Sequence, residues 1–442
     1  MKNLYNSNSF KDRFKFLVKN QFWSKQKIDS YQLTELRKLV SYVWKNIPFY
    51  KKFMRENNIK PSMIKNVSDL KLFPLIDKKI IQENYKEFMP IIKKKKIYNR
   101  TTGGSTGTPL TVYYDFEFLT KDKANTNYYM NVFGLDIFNY KSIRIYGDYL
   151  DNNLIKKNIF WKKENKKLIM SCYHINKKNL MFYVEEFNKF KPVYIHTRPS
   201  SILTFAKLII EYKATIKNNV KYIFCDGEYL TLGQRKIIEK AFRTRVINIY
   251  GHTEGCTFAH PCVESNDLHF VPHVGILELL NKKKKECTKN NEKGELVVTG
   301  FNNKILPLIR YRTGDIAINS TSQCKCKRNF RMIKEIEGRK QDYVVNSNKE
   351  VIPLAPAIFN YNDMNWKGIQ EFKVIQNRIG KLNFLMQLDK NLKVNLNTIN
   401  QKLSKILGDF SIKITIVKKL DKTKIGKFRY LEQNLKILKY FS

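Results

Sequence analysis

VYIHT (193–197), SILTFAKLIIEYK (201–213), YIFCDG (222–227), LGQRKIIEKAF (232–242) and VINIYG (246–251) follow one another along the chain. The first, third and fifth are short runs of β-branched and aromatic residues and read as strands. The second and fourth carry apolar residues at three-and-four spacing and read as helices. This alternation predicts β-α-β-α-β, a parallel sheet with helices on its faces. In such sheets ligands gather beyond the carboxyl ends of the strands. DGE (226–228) and YGHTEG (250–255) stand there, as candidates for one pocket.

Upstream, Leu36, Leu39, Val40, Val43, Trp44 and Ile47 keep helical spacing until Pro48 interrupts it, so an amphipathic helix is expected from about 33 to 47. Downstream of about 339 the pattern changes to short strands beginning at Phe372, Lys381 and Ile412 around a helical stretch at 396–407. That predicts a small α+β domain, and a division into 1–338 and 339–442. The chain has 442 residues, 43% hydrophobic and 13% aromatic, enough to bury a sizeable core and unlike a disordered chain. No apolar run is long enough to span a bilayer and no signal peptide is read at the start, so a cytoplasmic location is expected. Seven cysteines make a poor disulfide framework; thiols or metal ligands fit better.

The 82 Lys and Arg against 39 Asp and Glu give a formal charge of +43. A polyanion partner is one reading of that excess, nucleic acid or an anionic membrane surface. But lysine is spread from end to end with Asn, Ile, Phe and Tyr in excess, and the runs at 93–96 and 282–285 lie between patterned segments as solvated loops do. No specific nucleic acid is therefore expected, peripheral membrane association stays open, and oligomeric state is not readable.

TTGGSTGTP (101–109) packs glycines and hydroxyl residues together, a composition suited to cupping phosphate oxygens with backbone N–H groups. It is no Walker A loop, because Pro109 stands where a lysine is needed. It is followed by DGE at 226, YGHTEG at 250, YRTGD at 311–315, GRKQD at 338–342 and KTKIGKFR at 422–429. Six motifs in this order resemble the adenylate-forming acyl ligase superfamily. IPFYKKF (47–53) and DLKLFPLIDK (69–78) resemble its phenylacetate-coenzyme A ligase branch, including the subgroup of capsule and O-antigen gene clusters.

The resemblance implies a large N-terminal α/β adenylation domain with parallel and mixed sheets, and a small mobile α+β C-terminal domain. It implies an enzyme that joins a carboxylate to the α-phosphate of ATP, releases pyrophosphate, and passes the acyl group to a thiol or an amine. Coenzyme A, a carrier protein and a sugar amine are the candidate acceptors, with a small carboxylic acid as substrate. By the same resemblance Thr102, Gly103, Gly104, Ser105, Thr106, Gly107 and Thr108 hold phosphates. Thr253 touches the α-phosphate, Glu254 holds Mg²⁺, Gly227 and Glu228 lie against adenine, and Tyr250 with Gly251 borders the base. Asp315 accepts from the ribose, Arg339 holds the domain boundary and approaches the phosphate or ribose, and Lys427 is the adenylating cation, a role suited to a mobile ammonium. The hinge departs from the pattern: Gln341 occupies the position that commonly holds Asp or Lys, and the acid follows at Asp342.

Cys262 and His269, with Cys324 and Cys326, resemble the structural zinc set of some branch members; ordinary thiols are the alternative reading. His252 reads as a pocket wall for want of an assignable carboxylate, and His174, His196, His260 and His273 as packing or surface. Cys172, Cys225, Cys256 and Cys287 read as ordinary thiols, Cys225 and Cys256 close enough to the pocket to be open to alkylation. A catalytically retired adenylate fold and a basic polyanion-binding protein are the competing functions.

Overall fold

The computed structural model describes residues 4–5, 7–91, 96–101, 110–148, 150–339, 343–354, 358, 368–388, 394–420, 430–435 and 440. It is a mixed α/β chain whose contacts divide it into two compact units, 1–137 with 249–336 and 138–248 with 337–442.

In the second unit the predicted parallel sheet is present. Its strands lie in the order Trp161–Glu164, Lys167–Ser171, Ser142–Tyr146, Tyr194–Thr197, Tyr222–Cys225 and Val246–Asn248, and all but the first are parallel. Side chains alternate across a strand, so Ile143, Ile145, Ile195, Ile223 and Cys225 share one face. They are buried there with Phe187, Ile202, Phe205, Ile238 and Phe242 from the helices Leu180–Phe190, Pro199–Glu211 and Leu232–Phe242. Burying each large side chain contributes about 1.5–3 kcal/mol, which is what holds the helices on the sheet. Pro199 pre-sets the first turn of its helix. Thr231 and Gln234 cap the next one reciprocally, at 3.1 and 3.0 Å.

The stretch VINIYG is not one strand. Val246–Asn248 closes the parallel sheet, whereas Tyr250–Gly251 pairs antiparallel with Phe258–His260 in a different sheet. Alternation reports which side chains are buried, not which neighbour supplies the backbone partners, so the switch at Ile249 leaves no trace in the pattern. Likewise Pro48 does more than stop a helix. The preceding helix runs from Lys25 to Asn46, and Pro48 opens the helix Pro48–Glu56 at its first position.

The same unit carries the expected small α+β fold. Its four strands order as Ser411–Ile416, Lys381–Leu388, Ile369–Arg378 and Leu431–Gln433, packed with the helix Leu396–Leu407 over Phe372, Val374, Phe384, Met386 and Leu403. Asn395 caps that helix by accepting from the Thr398 amide at 3.0 Å.

The first unit is built round a seven-stranded sheet. Its spatial order is Gly275–Leu280, Lys293–Gly300, Tyr311–Asn319, Arg331–Arg339, Leu268–Phe270, Phe258–His260 and Tyr250–Gly251. Arg310, immediately before the third of these strands, is 8% exposed and forms a two-pronged pair with Glu278 at 3.0 and 2.9 Å. Its remaining Nη1 donates to the Phe73 carbonyl at 3.0 Å, pinning the N-terminal region to the sheet. Removing one partner of a buried pair strands the other charge. Glu278→Ala should therefore lose about 3–5 kcal/mol of unfolding free energy, read as a fall in the urea midpoint; an unchanged midpoint would show the pair to be dispensable.

Candidate functional site

The segment YGHTEG turns sharply after the two-residue strand Tyr250–Gly251. The Gly255 amide donates to the His252 carbonyl at 3.0 Å, closing a turn over 252–255. Gly255 has φ +66°, and a Cβ added there would lie 2.4 Å from Cζ of Phe118. Only glycine satisfies both demands. The turn aims Glu254 inward, where it is 7% exposed.

A buried carboxylate needs donors, and the sequence supplies two. His252 Nδ1 lies 2.9 Å from Oε2, and the Tyr311 hydroxyl donates to Oε1 at 2.7 Å. Burial alone would raise the Glu254 pKa. The hydrogen bond and charge of His252, with the Tyr311 hydroxyl, outweigh it and hold the group down at about 2. Since an ionised carboxylate only accepts, Nδ1 of His252 carries the proton, and its buried Nε2 has no partner among the described residues. His252 thus has the carboxylate that its sequence context did not reveal. Residues 252 and 254 lie in one tight turn that ends at Gly255, so a histidine two residues before an acid beside a glycine is the signal that could have found the pair. Tyr311 was visible as the first letter of YRTGD but carried no role there.

The second letter pair joins distant strands. The Tyr250 hydroxyl donates to Asp315 Oδ2 at 2.6 Å. Four strand steps separate their strands in the sheet order, a span of roughly 19 Å if the sheet were flat. A tyrosine side chain cannot bridge that, so the sheet curls on itself, round Ala259, Leu268, Phe270, Leu279, Leu296, Ala317 and Ile333. Thr253, in the turn, offers its carbonyl to the Tyr114 hydroxyl at 3.2 Å.

In the other unit, Gly227 has φ +73° and opens the backbone after the strand Tyr222–Cys225. Glu228 accepts from the Ser200 amide at 2.9 Å and from its hydroxyl at 3.0 Å, at the start of the helix Pro199–Glu211. Its carboxylate therefore caps a helix, leaving its backbone as the part turned to other uses. Arg339 ends its strand. Thr102, Gly103, Gly104, Ser105, Thr106, Gly107, Thr108 and Lys427 lie outside the described residues, as do Gln341 and Asp342.

Cys262, His269, Cys324 and Cys326 come together, their ligand atoms all within 4.8 Å of one another. The Cys262 and Cys324 sulfurs are 3.5 Å apart, and Cys326 Sγ is 3.3 Å from His269 Nε2. His269 Nδ1 sits 3.1 Å from the Asp267 carbonyl, which orients the ring with Nε2 inward. Three thiols and an imidazole in this geometry suit a closed tetrahedral zinc site. Of the remaining thiols, Cys225 and Cys256 are 0% and 2% exposed, and burial pushes both pKa values up, so the expected openness to alkylation does not hold. His196 also departs from expectation: it meets Asp226 at 3.1 Å.

No family model matches the chain. It is 28% identical over 413 residues to Protein CapK of Staphylococcus aureus, covering 90% of this chain and 87% of that protein. It is 22% identical over 339 residues to phenylacetate-coenzyme A ligase of Thermus thermophilus, covering 74% of each. The solved structure of 2-hydroxyisobutyryl-CoA ligase in complex with R3-HIB-AMP shares the fold, with a TM-score of 0.72 at 17% identity over 96% of this chain and 93% of that one.

Gly255→Ala should cost about 2–5 kcal/mol, the sum of a left-handed penalty and an overpacking term. Thermal or urea unfolding reads it. A variant as stable as the parent would mean that Phe118 yields and the turn is not fixed.

Proposed function

We propose that the chain is an adenylate-forming ligase of the phenylacetate-coenzyme A ligase-like branch, which activates a carboxylic acid with ATP and transfers the acyl group to a thiol or an amine. In the first half-reaction a carboxylate oxygen attacks the α-phosphorus, the bond to the bridging oxygen breaks, and pyrophosphate leaves. In the second, the acceptor attacks the acyl carbon, AMP leaves with the bonding pair, and the acceptor's proton is released.

The observation that carries this reading is Glu254: a buried carboxylate kept ionised by His252 and Tyr311, in the turn that the motif order assigns to the nucleotide. Such a group is preset for a cation, since each oxygen keeps a lone pair beyond its hydrogen bond. Magnesium held at Glu254 would offset phosphate charge as pyrophosphate departs. His252 Nε2, buried beside it, is placed for a ligand oxygen. Thr253 is assigned to the α-phosphate, residues 102–108 to the phosphates, and Asp315, oriented by Tyr250, to the ribose hydroxyls. Gly227 and Glu228 are assigned to adenine through their backbone, bordered by Tyr250 and Gly251, and Lys427 to the developing charge at phosphorus. Residues 339–442, from Arg339 onward, are proposed as the small domain that delivers Lys427.

Zinc at Cys262, His269, Cys324 and Cys326 is proposed as structural, tying the loop after His260 to the loop before Phe330. The acceptor is proposed to be coenzyme A, a carrier thiol or a sugar amine, in modification of a surface polysaccharide.

Lys427→Ala should slow ATP–pyrophosphate exchange by roughly 100- to 1000-fold, about 3–4 kcal/mol for one transition-state donor. Exchange at the parental rate in that variant would remove the assignment. Tag-free protein should carry close to one zinc per chain by plasma mass spectrometry, and Cys324→Ser should lose it with a lowered melting temperature. Metal-free parental protein with an unchanged melting temperature would rule the site out.

A further inference from the structure

One cluster of polar side chains lies at the carboxyl ends of three adjacent parallel strands and has no part in the assignments above. Tyr146 ends the strand Ser142–Tyr146, His196 lies one residue from the end of Tyr194–Thr197, and Asp226 directly follows Tyr222–Cys225. The Tyr146 hydroxyl donates to Asp226 Oδ1 at 2.6 Å, and His196 Nε2 lies 3.1 Å from Oδ2. The Arg144 and Arg198 guanidinium carbons stand 4.7 and 5.2 Å from the centroid of the Tyr146 ring. Asp148 is 3.5 Å from Arg144.

The position is the one where open parallel sheets bind ligands, and in sequence it directly precedes Gly227 and Glu228. The His196 and Asp226 side chains are each 33% exposed, so a small ligand reaches them. Asp226 is ionised: burial alone would raise its pKa, but the charge and hydrogen bond of His196, with the Tyr146 hydroxyl, bring it below the ordinary value. Nε2 of His196 therefore donates to Oδ2, and each Asp226 oxygen keeps a lone pair beyond its hydrogen bond.

Each class of acid meets this cluster differently. A bare alkyl or aryl group would cover acceptors that it cannot satisfy. An ammonium drawn to Asp226 would also meet Arg144 and Arg198, and a second carboxylate drawn to those guanidiniums would also meet Asp226 and Asp148, so the cluster as a whole matches neither charge. A neutral hydroxyl can donate to Asp226 without opposing either charge. We infer that Tyr146, His196 and Asp226 form an acyl subsite selective for an acid bearing a hydroxyl group. The inference rests on the ligase reading proposed above.

The test is ATP–pyrophosphate exchange by the full-length protein with matched acids: lactate and propionate, 3-hydroxybutyrate and butyrate, gluconate and hexanoate, 4-hydroxyphenylacetate and phenylacetate, together with alanine and succinate. At least one hydroxy acid should exceed its deoxy partner in kcat/KM by roughly tenfold or more, and alanine and succinate should be inert. His196→Phe should bring that pair within about threefold, chiefly through KM, and His196→Asn should restore part of the gap. Tyr146→Phe, which deletes one hydroxyl and keeps the ring, should narrow it with the fold unaltered. Exchange that Lys427→Ala abolishes but that favours deoxy acids, alanine or succinate would overturn the inference and leave the ligase reading standing. A hydroxyl preference untouched by the His196 and Tyr146 variants would overturn the assignment to these residues. No exchange with any acid would overturn both.

Discussion

A carboxylate out of water has to be matched by donors that arrive from elsewhere in the chain, and Glu254 sets that requirement for the whole first unit. One donor comes from two residues away, but the other is Tyr311, far along the sequence and on another strand of the same sheet. The parallel demand of Tyr250 on Asp315 crosses the sheet in the opposite sense. Both can be met only if the sheet curls, and a curled sheet needs small or apolar residues inside it, which Ala259, Leu268, Leu296 and Ala317 provide. Shape, core composition and the ionisation of one side chain are thus a single constraint.

The same economy governs the acids of the second unit. Glu228 is spent on the amide and hydroxyl of Ser200, where a helix start favours negative charge. Asp226, two residues earlier, is engaged by a phenol and an imidazole. In a chain with 82 Lys and Arg, these donors let a carboxylate stay charged while leaving lone pairs for a ligand, which a tight ammonium contact would consume.

Much of the fold was legible because it rests on local periodicity. The strands at 194–197 and 222–225 and the helix at 396–407 stand where the apolar pattern puts them, and the six-motif order carries the resemblance on which the proposed function rests. What was hidden depends on pairing across distance. The break inside VINIYG is invisible because the same alternation serves two sheets. His196 appeared as a packing residue because its partner, Asp226, directly follows a neighbouring strand that only the parallel pairing brings alongside. The zinc-competent set was suggested by residue type, whereas the gathering of its four ligand atoms depends on the strand Leu268–Phe270 and the turn at 324–327. Glu228 shows the reverse: a motif residue with a visible functional label whose side chain is committed to a helix cap.

The order of strands in the curled sheet also bears on how the chain is made. Arg331–Arg339 lies between Tyr311–Asn319 and Leu268–Phe270, so among the described strands it is the one whose backbone pairs the meander over 275–319 with the strands over 250–270. Until it emerges from the ribosome, those two parts are separate ribbons with open backbone edges. At about 5–20 residues per second, the edge of Leu268–Phe270 waits roughly 3–14 s for its neighbour. During synthesis this unit is therefore an unclosed sheet, its rim open until the last strand is threaded in.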